Sequence, residues 1–120
     1  MNQTQETMMP DDFRALTELH EMASQACELL KAMANEWRLM VLCQLSEGEK
    51  TVSELQGILG LSQSALSQHL AVLRREKIVS ARKEAQSVFY SLHGDEATRV
   101  MAALHDLYCA PASPTDQEPE

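Results

Sequence analysis

The stretch TVSELQGILGLSQSALSQHLAVLRREKIVSARKEAQSVFYSL, Thr51 to Leu92, decides the fold. It opens on Thr51 with Glu54 three residues later, the spacing of a capping box, so a short helix starts at TVSELQGIL. Gly60 ends that helix, because glycine enters the left-handed conformation of a helix stop without steric penalty. Ser62 stands where the N-cap of a second helix, QSALSQHLAVLRREK, is expected. Ala65, Leu66, Leu70 and Leu73 give this second helix one buried face. The period then changes. IVSARKEAQSVFYSL alternates around a polar tip, KEAQS, and its β-branched and aromatic residues read as two short antiparallel strands. The tip lacks the Asn-Gly or Asp-Gly pair of tight hairpins, so its turn type is left open.

Upstream, Leu16, Leu19, Ala23, Ala26, Leu30 and Met33 recur at alternating spacings of three and four, which predicts an amphipathic helix over residues 11–33. Pro10 precedes it, and Asp11 and Asp12 suit the positive end of its dipole. The stripe can face its own core or a partner helix. A further helix, from about Glu36 to Ser46, contains WRLMVLCQL and is apolar nearly all round, which predicts a central position. Gly48 in SEGEK breaks it. Downstream, GDEATRVMAALHDLYC reads as a closing helix with Val100, Met101, Leu104 and Leu107 on its apolar side, stopped by Pro111 and Pro114. Residues 1–10 are expected to be a flexible N-terminus and residues 110–120, polar and Pro-rich, a disordered tail. One domain, residues 11–109, remains. Its expected class is mainly α: a winged helix-turn-helix of five helices with a two-stranded β-hairpin wing. The candidate dimer contacts are Leu16, Leu19, Ala23, Ala26 and Leu30 on the first helix and Met101 and Leu104 on the last.

A chain of 120 residues supports one modest core, and five aromatic residues leave Leu, Met, Val and Ala to fill it. No segment approaches the roughly 18 consecutive apolar residues of a spanning helix, and MNQTQETMMPDDF lacks the basic start and apolar run of a secretory signal. A cytoplasmic protein without a membrane partner is therefore expected, on the nucleoid when bound to DNA. Three cysteines, Cys27, Cys43 and Cys109, form no CxxC pair, and their odd number argues against a disulfide framework. No substrate cleft, oxyanion loop or nucleotide motif is legible, so an enzyme is not expected.

The formal net charge is −8, but it is unevenly spread. Residues 62–92 carry Arg74, Arg75, Lys77, Arg82 and Lys83 against Glu76 and Glu84, a local +3 in an otherwise acidic chain. A local basic patch is the footprint expected of a nucleic-acid binder, although five bases would equally solvate a plain surface. The order of elements adds the missing specificity, since in a winged helix-turn-helix the second helix of the pair enters the major groove. Gln63, Ser64, Ser67, Gln68 and His69 would then face base edges, with Gln suited to bidentate pairing with adenine. Arg74, Arg75, Lys77, Arg82 and Lys83 would lie along phosphates, contacts that fix position rather than sequence. The expected partners are double-stranded operator DNA and a second copy of the chain.

Three segments carry a resemblance to a known family: the LKAMANEWRLMVL opening, the SQSALSQHLAVLR helix and the IVSARKEAQSVFYSL wing. Over residues 29–108 the chain closely resembles the ArsR/SmtB family of small dimeric bacterial repressors. The resemblance implies a palindromic operator and release on sensing an inducer. Metal-thiolate members carry a Cys-x-Cys-type pair at positions held here by Thr51 and Ser53, and zinc-type members carry four ligands where Gly94, Glu96, Leu107 and Ala110 stand. Neither set can complete a metal site. Asp95, His105 and Cys109 offer a different donor set, so a metal-responsive repressor is the alternative. Cys43 and Cys109 match the cysteine pair of the SqrR/BigR-like branch, which implies a sensor of persulfides and polysulfides with no cofactor. Cys27 matches no sensor position and is read as a packing or incidental residue.

Overall fold

The computed structural model describes residues 11–109. The expected flexible lead over 1–10 and disordered tail over 110–120 lie outside the described residues. The elements run α1 (Asp11–Met33), α2 (Glu36–Leu45), β1 (Lys50–Thr51), α3 (Val52–Leu59), α4 (Gln63–Arg75), β2 (Val79–Glu84), β3 (Ser87–Leu92) and α5 (Glu96–Tyr108). Five helices and a hairpin wing make the winged helix-turn-helix that the sequence predicts.

Local chemistry sets each boundary. Asn35 is extended and its side chain accepts the Arg38 N–H at 3.0 Å, which starts α2 two residues after α1 stops. The Arg38 guanidinium reaches back to the carbonyls of Ala32 and Lys31, capping the free C-terminal end of α1. Thr51 and Glu54 form the reciprocal capping box: Thr51 Oγ1 accepts the Glu54 N–H at 3.1 Å, and Glu54 Oε1 accepts the Thr51 N–H at 2.8 Å. Gly60 is left-handed at φ 74° and ends α3, and Ser62 caps α4 by accepting the Ala65 N–H at 3.1 Å. At the other end of α4, Ile78 N–H bonds to Leu73 C=O and Lys77 N–H to Arg74 C=O, each at 2.9 Å. These are the two bonds of a Schellman motif, and the apolar pair Leu73 and Ile78 that accompanies it is buried. The motif places Lys77 in the left-handed region at φ 62°, so α4 stops at Arg75 and Lys77 is not helical as expected.

The wing differs from the expected two strands. The sheet is three-stranded in the order β1-β3-β2, with Lys50 opposite Tyr90 and Thr51 opposite Phe89. Two residues are too short a run for an alternating pattern to register. β2 and β3 pair from Val79–Leu92 to Glu84–Ser87, leaving a two-residue turn, Ala85-Gln86. Only Ala85 has positive φ, at 57°, the sign pattern of a type II′ turn.

The core is almost wholly aliphatic: Val41 and Leu42 of α2, Leu55 of α3, Leu66, Leu70 and Leu73 of α4, then Ile78 and Val79, closed by Ala97 and Met101 of α5. Among the described residues no polar or charged side chain is buried. Three expectations are corrected by this packing. α2 is not buried all round, because Trp37 and Met40 lie on an exposed face. Met101, expected at the dimer seam, is only 6% exposed within its own chain and seats α5 on the core. Leu107 moves the opposite way, from the expected apolar side of α5 to 72% exposure.

Candidate functional site

The buried leucines of α4 turn the rest of the helix outward. With Leu66, Leu70 and Leu73 in the core, the helical period exposes Gln63, Ser64, Ser67, Gln68, Arg74 and Arg75 on the opposite side. These are the residues the sequence singled out for DNA. His69 sits on the flank, half-buried, and its pKa is lowered first by burial and then by the Arg38 guanidinium. It is therefore neutral at pH 7 and able to accept or donate a hydrogen bond without charge. Sequence reasoning passed over Ala71, which lies exposed on the same face, three residues from Gln68 and four from Ser67. The spacing was a usable signal, and a methyl there suits contact with a thymine methyl group.

The five basic residues are not equivalent. Lys77 and Lys83 are exposed, and neither forms an ion pair among the described residues. Arg74 is likewise unpaired there, while Arg75 stands 3.8 Å from the Glu76 carboxylate. Arg82 departs from the expected phosphate contact: it is held by protein carboxylates. Its Nε and Nη2 donate to the two oxygens of Glu49, each at 2.9 Å, and its Nη1 donates to Glu84. The guanidinium carbon also lies 4.6 Å from the Phe89 ring centroid. The bond from Arg82 is the main cause that lowers the Glu49 pKa, and the same bonds raise that of Arg82.

The second feature lies between α2 and α5. A cavity of about 530 Å³ is walled by Leu39, Leu92, Met101 and Leu104, with Ser46, Thr98, His105 and Asp106 as its polar groups. Cys43 from α2 and Cys109 from the end of α5 both line it. Both are free thiols reachable from solvent. Burial against the apolar wall pushes the Cys43 thiol up, and the neighbouring Cys109 and then Glu47 push in the same direction. With both thiols on one cavity and Cys109 acting on Cys43, the fold brings together residues 66 positions apart in sequence. Cys27 is exposed on α1 and does not line this cavity. Asp95, His105 and Cys109 do not converge: ten residues of chain, about 15 Å along a helix, separate Asp95 from His105. Among the described residues no three His, Cys, Asp or Glu side chains cluster closely enough to hold a metal ion.

On the helix expected to carry the dimer contacts, residues 12–28 of α1 are exposed along their whole length. Leu16, Leu19 and Leu30 are 58%, 55% and 54% exposed, and Ala23 and Ala26 lie exposed between them. Leu104 of α5 is half-buried against the core. Among the described residues no helix is long and apolar enough to cross a membrane.

Comparison with known proteins agrees with this geometry. Residues 35–81 match the family described as bacterial regulatory protein, arsR family. The transcriptional activator HlyU of Vibrio cholerae is 54% identical over 94 residues, spanning 78% of this chain and 87% of that protein. The structure of reduced HlyU from Vibrio cholerae superposes with a TM-score of 0.75 at 54% identity, covering 78% of this chain and 98% of the other. The transcriptional repressor BigR from Xylella fastidiosa gives a TM-score of 0.71 at 35% identity, covering 80% and 98% of the two chains. With more than half of its residues identical to HlyU over most of both chains, the chain belongs to the arsR family of DNA-binding transcriptional regulators.

Proposed function

We propose that the chain is a dimeric transcriptional repressor that binds a palindromic operator and is released when reactive sulfur species modify or link Cys43 and Cys109. One observation carries this reading: both thiols open on one apolar cavity between α2 and α5. Relatives of both regulatory signs exist, an activator and a repressor. The repressor reading follows the simplest physics, in which a ligand-free dimer holds DNA and a covalent change disturbs it. That HlyU from Vibrio cholerae has a reduced form is in keeping with a redox-responsive reading of this chain.

The chemistry balances with a persulfide as oxidant. One thiolate attacks the sulfane sulfur of RS–SH, the donor's S–S bond breaks and a thiolate leaves, so the protein sulfur becomes a persulfide. The second thiolate then attacks the inner, cysteine-borne sulfur of that persulfide, the S–S bond breaks and hydrosulfide leaves, closing a disulfide link between α2 and α5. A further donor extends the protein persulfide by one sulfur before closure and gives a longer bridge. Such a bridge spans separations beyond the ~7 Å Cα limit of a simple disulfide.

α2 carries Val41, Leu42 and Leu45 in the core beneath α4. A link from α2 to α5 therefore acts on the element under the reading helix. The seam formed by α1 and α5 relates the two reading helices of a dimer, whose half-sites lie about 34 Å apart on B-DNA. Exposure to an organic persulfide, followed by intact mass and operator affinity, tests the reading. The expected result is added sulfur on the Cys43–Cys109 pair with loss of DNA binding. Release of a Cys43→Ser protein indistinguishable from that of the wild type would overturn it.

A further inference from the structure

We propose that Glu49 sets the DNA affinity of the wing by occupying Arg82 in the free protein, in the place a backbone phosphate would take. The inference rests on α4 and the wing forming the DNA face. It concerns a residue outside that face in sequence, in the loop between α2 and β1.

The sheet order makes the contact possible. β1 and β2 flank β3, so Thr51, Phe89 and Arg82 form one row across the sheet. Glu49 precedes this row by two residues on the β1 side. To reach it, the Arg82 side chain crosses the central strand over the Phe89 ring. There Nε and Nη2 meet the two Glu49 oxygens side-on, both at 2.9 Å. Glu84, two residues along β2 from Arg82, takes Nη1. A fork of two parallel N–H donors is the geometry by which arginine grips either a carboxylate or a phosphate. Glu49 is thus an internal competitor with the shape of the ligand.

The pair remains open to exchange. The Arg82 side chain is 50% exposed and that of Glu49 37%, so a phosphate can approach, and exposed ion pairs are held weakly. Lys83, next in sequence, projects from the other face of the strand and has no carboxylate partner among the described residues. The wing therefore presents one ready cation and one held in reserve.

The test is a titration of a fluorescein-labelled, random-sequence duplex with the full chain, as wild type, E49Q, R82Q and the double variant, over a salt series. Glu49→Gln is expected to bind several-fold tighter at low salt. Each chain's further phosphate contact steepens the log–log salt slope by about 0.9, so the E49Q advantage shrinks about 3.5-fold per chain, about 12-fold for a dimer, between about 50 and 200 mM salt. That gain is expected to be smaller in the R82Q background, where no phosphate ligand is released. Glu84→Gln should shift affinity the same way by less, since it frees one donor only. Equal gains with and without Arg82 would reduce Glu49 to a simple repelling charge, and unchanged or weaker binding by E49Q would make the pair a scaffold; either result overturns the proposal. A wild type with no salt-dependent binding would overturn the DNA-face reading itself.

Discussion

Leu19→Ala probes the proposed dimer seam on the exposed stretch of α1. The apolar stripe of α1 begins in the core, where Met33 is 3% exposed, and leaves it at Leu30. Beyond that point Leu19 has 55% of its surface uncovered. Burying a leucine completely is worth about 1.5–3 kcal/mol, so the part left for a partner amounts to about 0.8–1.6 kcal/mol per chain. In a two-fold dimer the change occurs twice, giving about 1.5–3 kcal/mol and a dimer dissociation constant raised about ten- to a hundred-fold. Alanine is the stronger helix former, so α1 itself should persist and far-UV circular dichroism should not change. Sedimentation equilibrium over a dilution series measures the constant directly. An unchanged constant would refute the seam on α1, and the exposed Leu107 of α5 would then be the next position to truncate.

Two further outcomes follow from the thiols and from the end of α4. Cys109→Ser removes the second-largest cause that raises the Cys43 pKa, while burial, the largest, remains. The effect of Cys109 is felt only once it is a thiolate, so the alkaline part of the Cys43 rate–pH curve with iodoacetamide should shift to lower pH in C109S; an unshifted curve would contradict the proximity argued for the pair. Lys77→Gly should separate stability from binding. Relieving a left-handed lysine gains about 1–2 kcal/mol, partly offset by glycine's greater freedom in the unfolded chain, for a net gain of up to about 1 kcal/mol in urea unfolding. The lost cation should weaken DNA binding and flatten the salt slope by about 1 per chain, about 2 for a dimer; unchanged DNA affinity would remove Lys77 from the phosphate-facing set.

The helical frame was legible because its signals are local. Thr51 with Glu54, Gly60 and Ser62 each act within one turn, and each behaves in the structure as its residue type dictates. What escaped the sequence depends on contacts between distant segments. β1 is two residues long and exists only because β3 offers it an edge. Arg82 reads as a free cation until the sheet brings Glu49 alongside, 33 residues away. Helical periodicity placed Met101 and Leu107 on one side of α5, but which part of that side meets the core is set by how α5 lands on it. Lys77 was misplaced for a different reason: a left-handed stop normally announces itself with glycine, and here the buried Leu73 and Ile78 pair stabilises the motif around a lysine.

Under the proposed reading, the modest charge of the DNA face is part of the switch. The local +3 of residues 62–92 leaves out Glu49, which folds onto the wing and lowers the effective charge further. Arg74, Lys77 and Lys83 are the cations there without a carboxylate partner among the described residues, so a dimer offers about six phosphate contacts and a salt slope near −5. Phosphate contacts are indifferent to sequence, and a regulator that relied on many of them would stay on DNA after its reading helices lost register. With few, most of the discrimination rests on Gln63, Ser64, Ser67 and Gln68, whose contacts require α4 to sit at one separation from its symmetry mate. A coupling free energy of about 1–3 kcal/mol, typical between linked sites, then suffices for a 5- to 150-fold loss of affinity. A single covalent link between α2 and α5 can supply that, because it acts on helix position, the one variable on which this face depends.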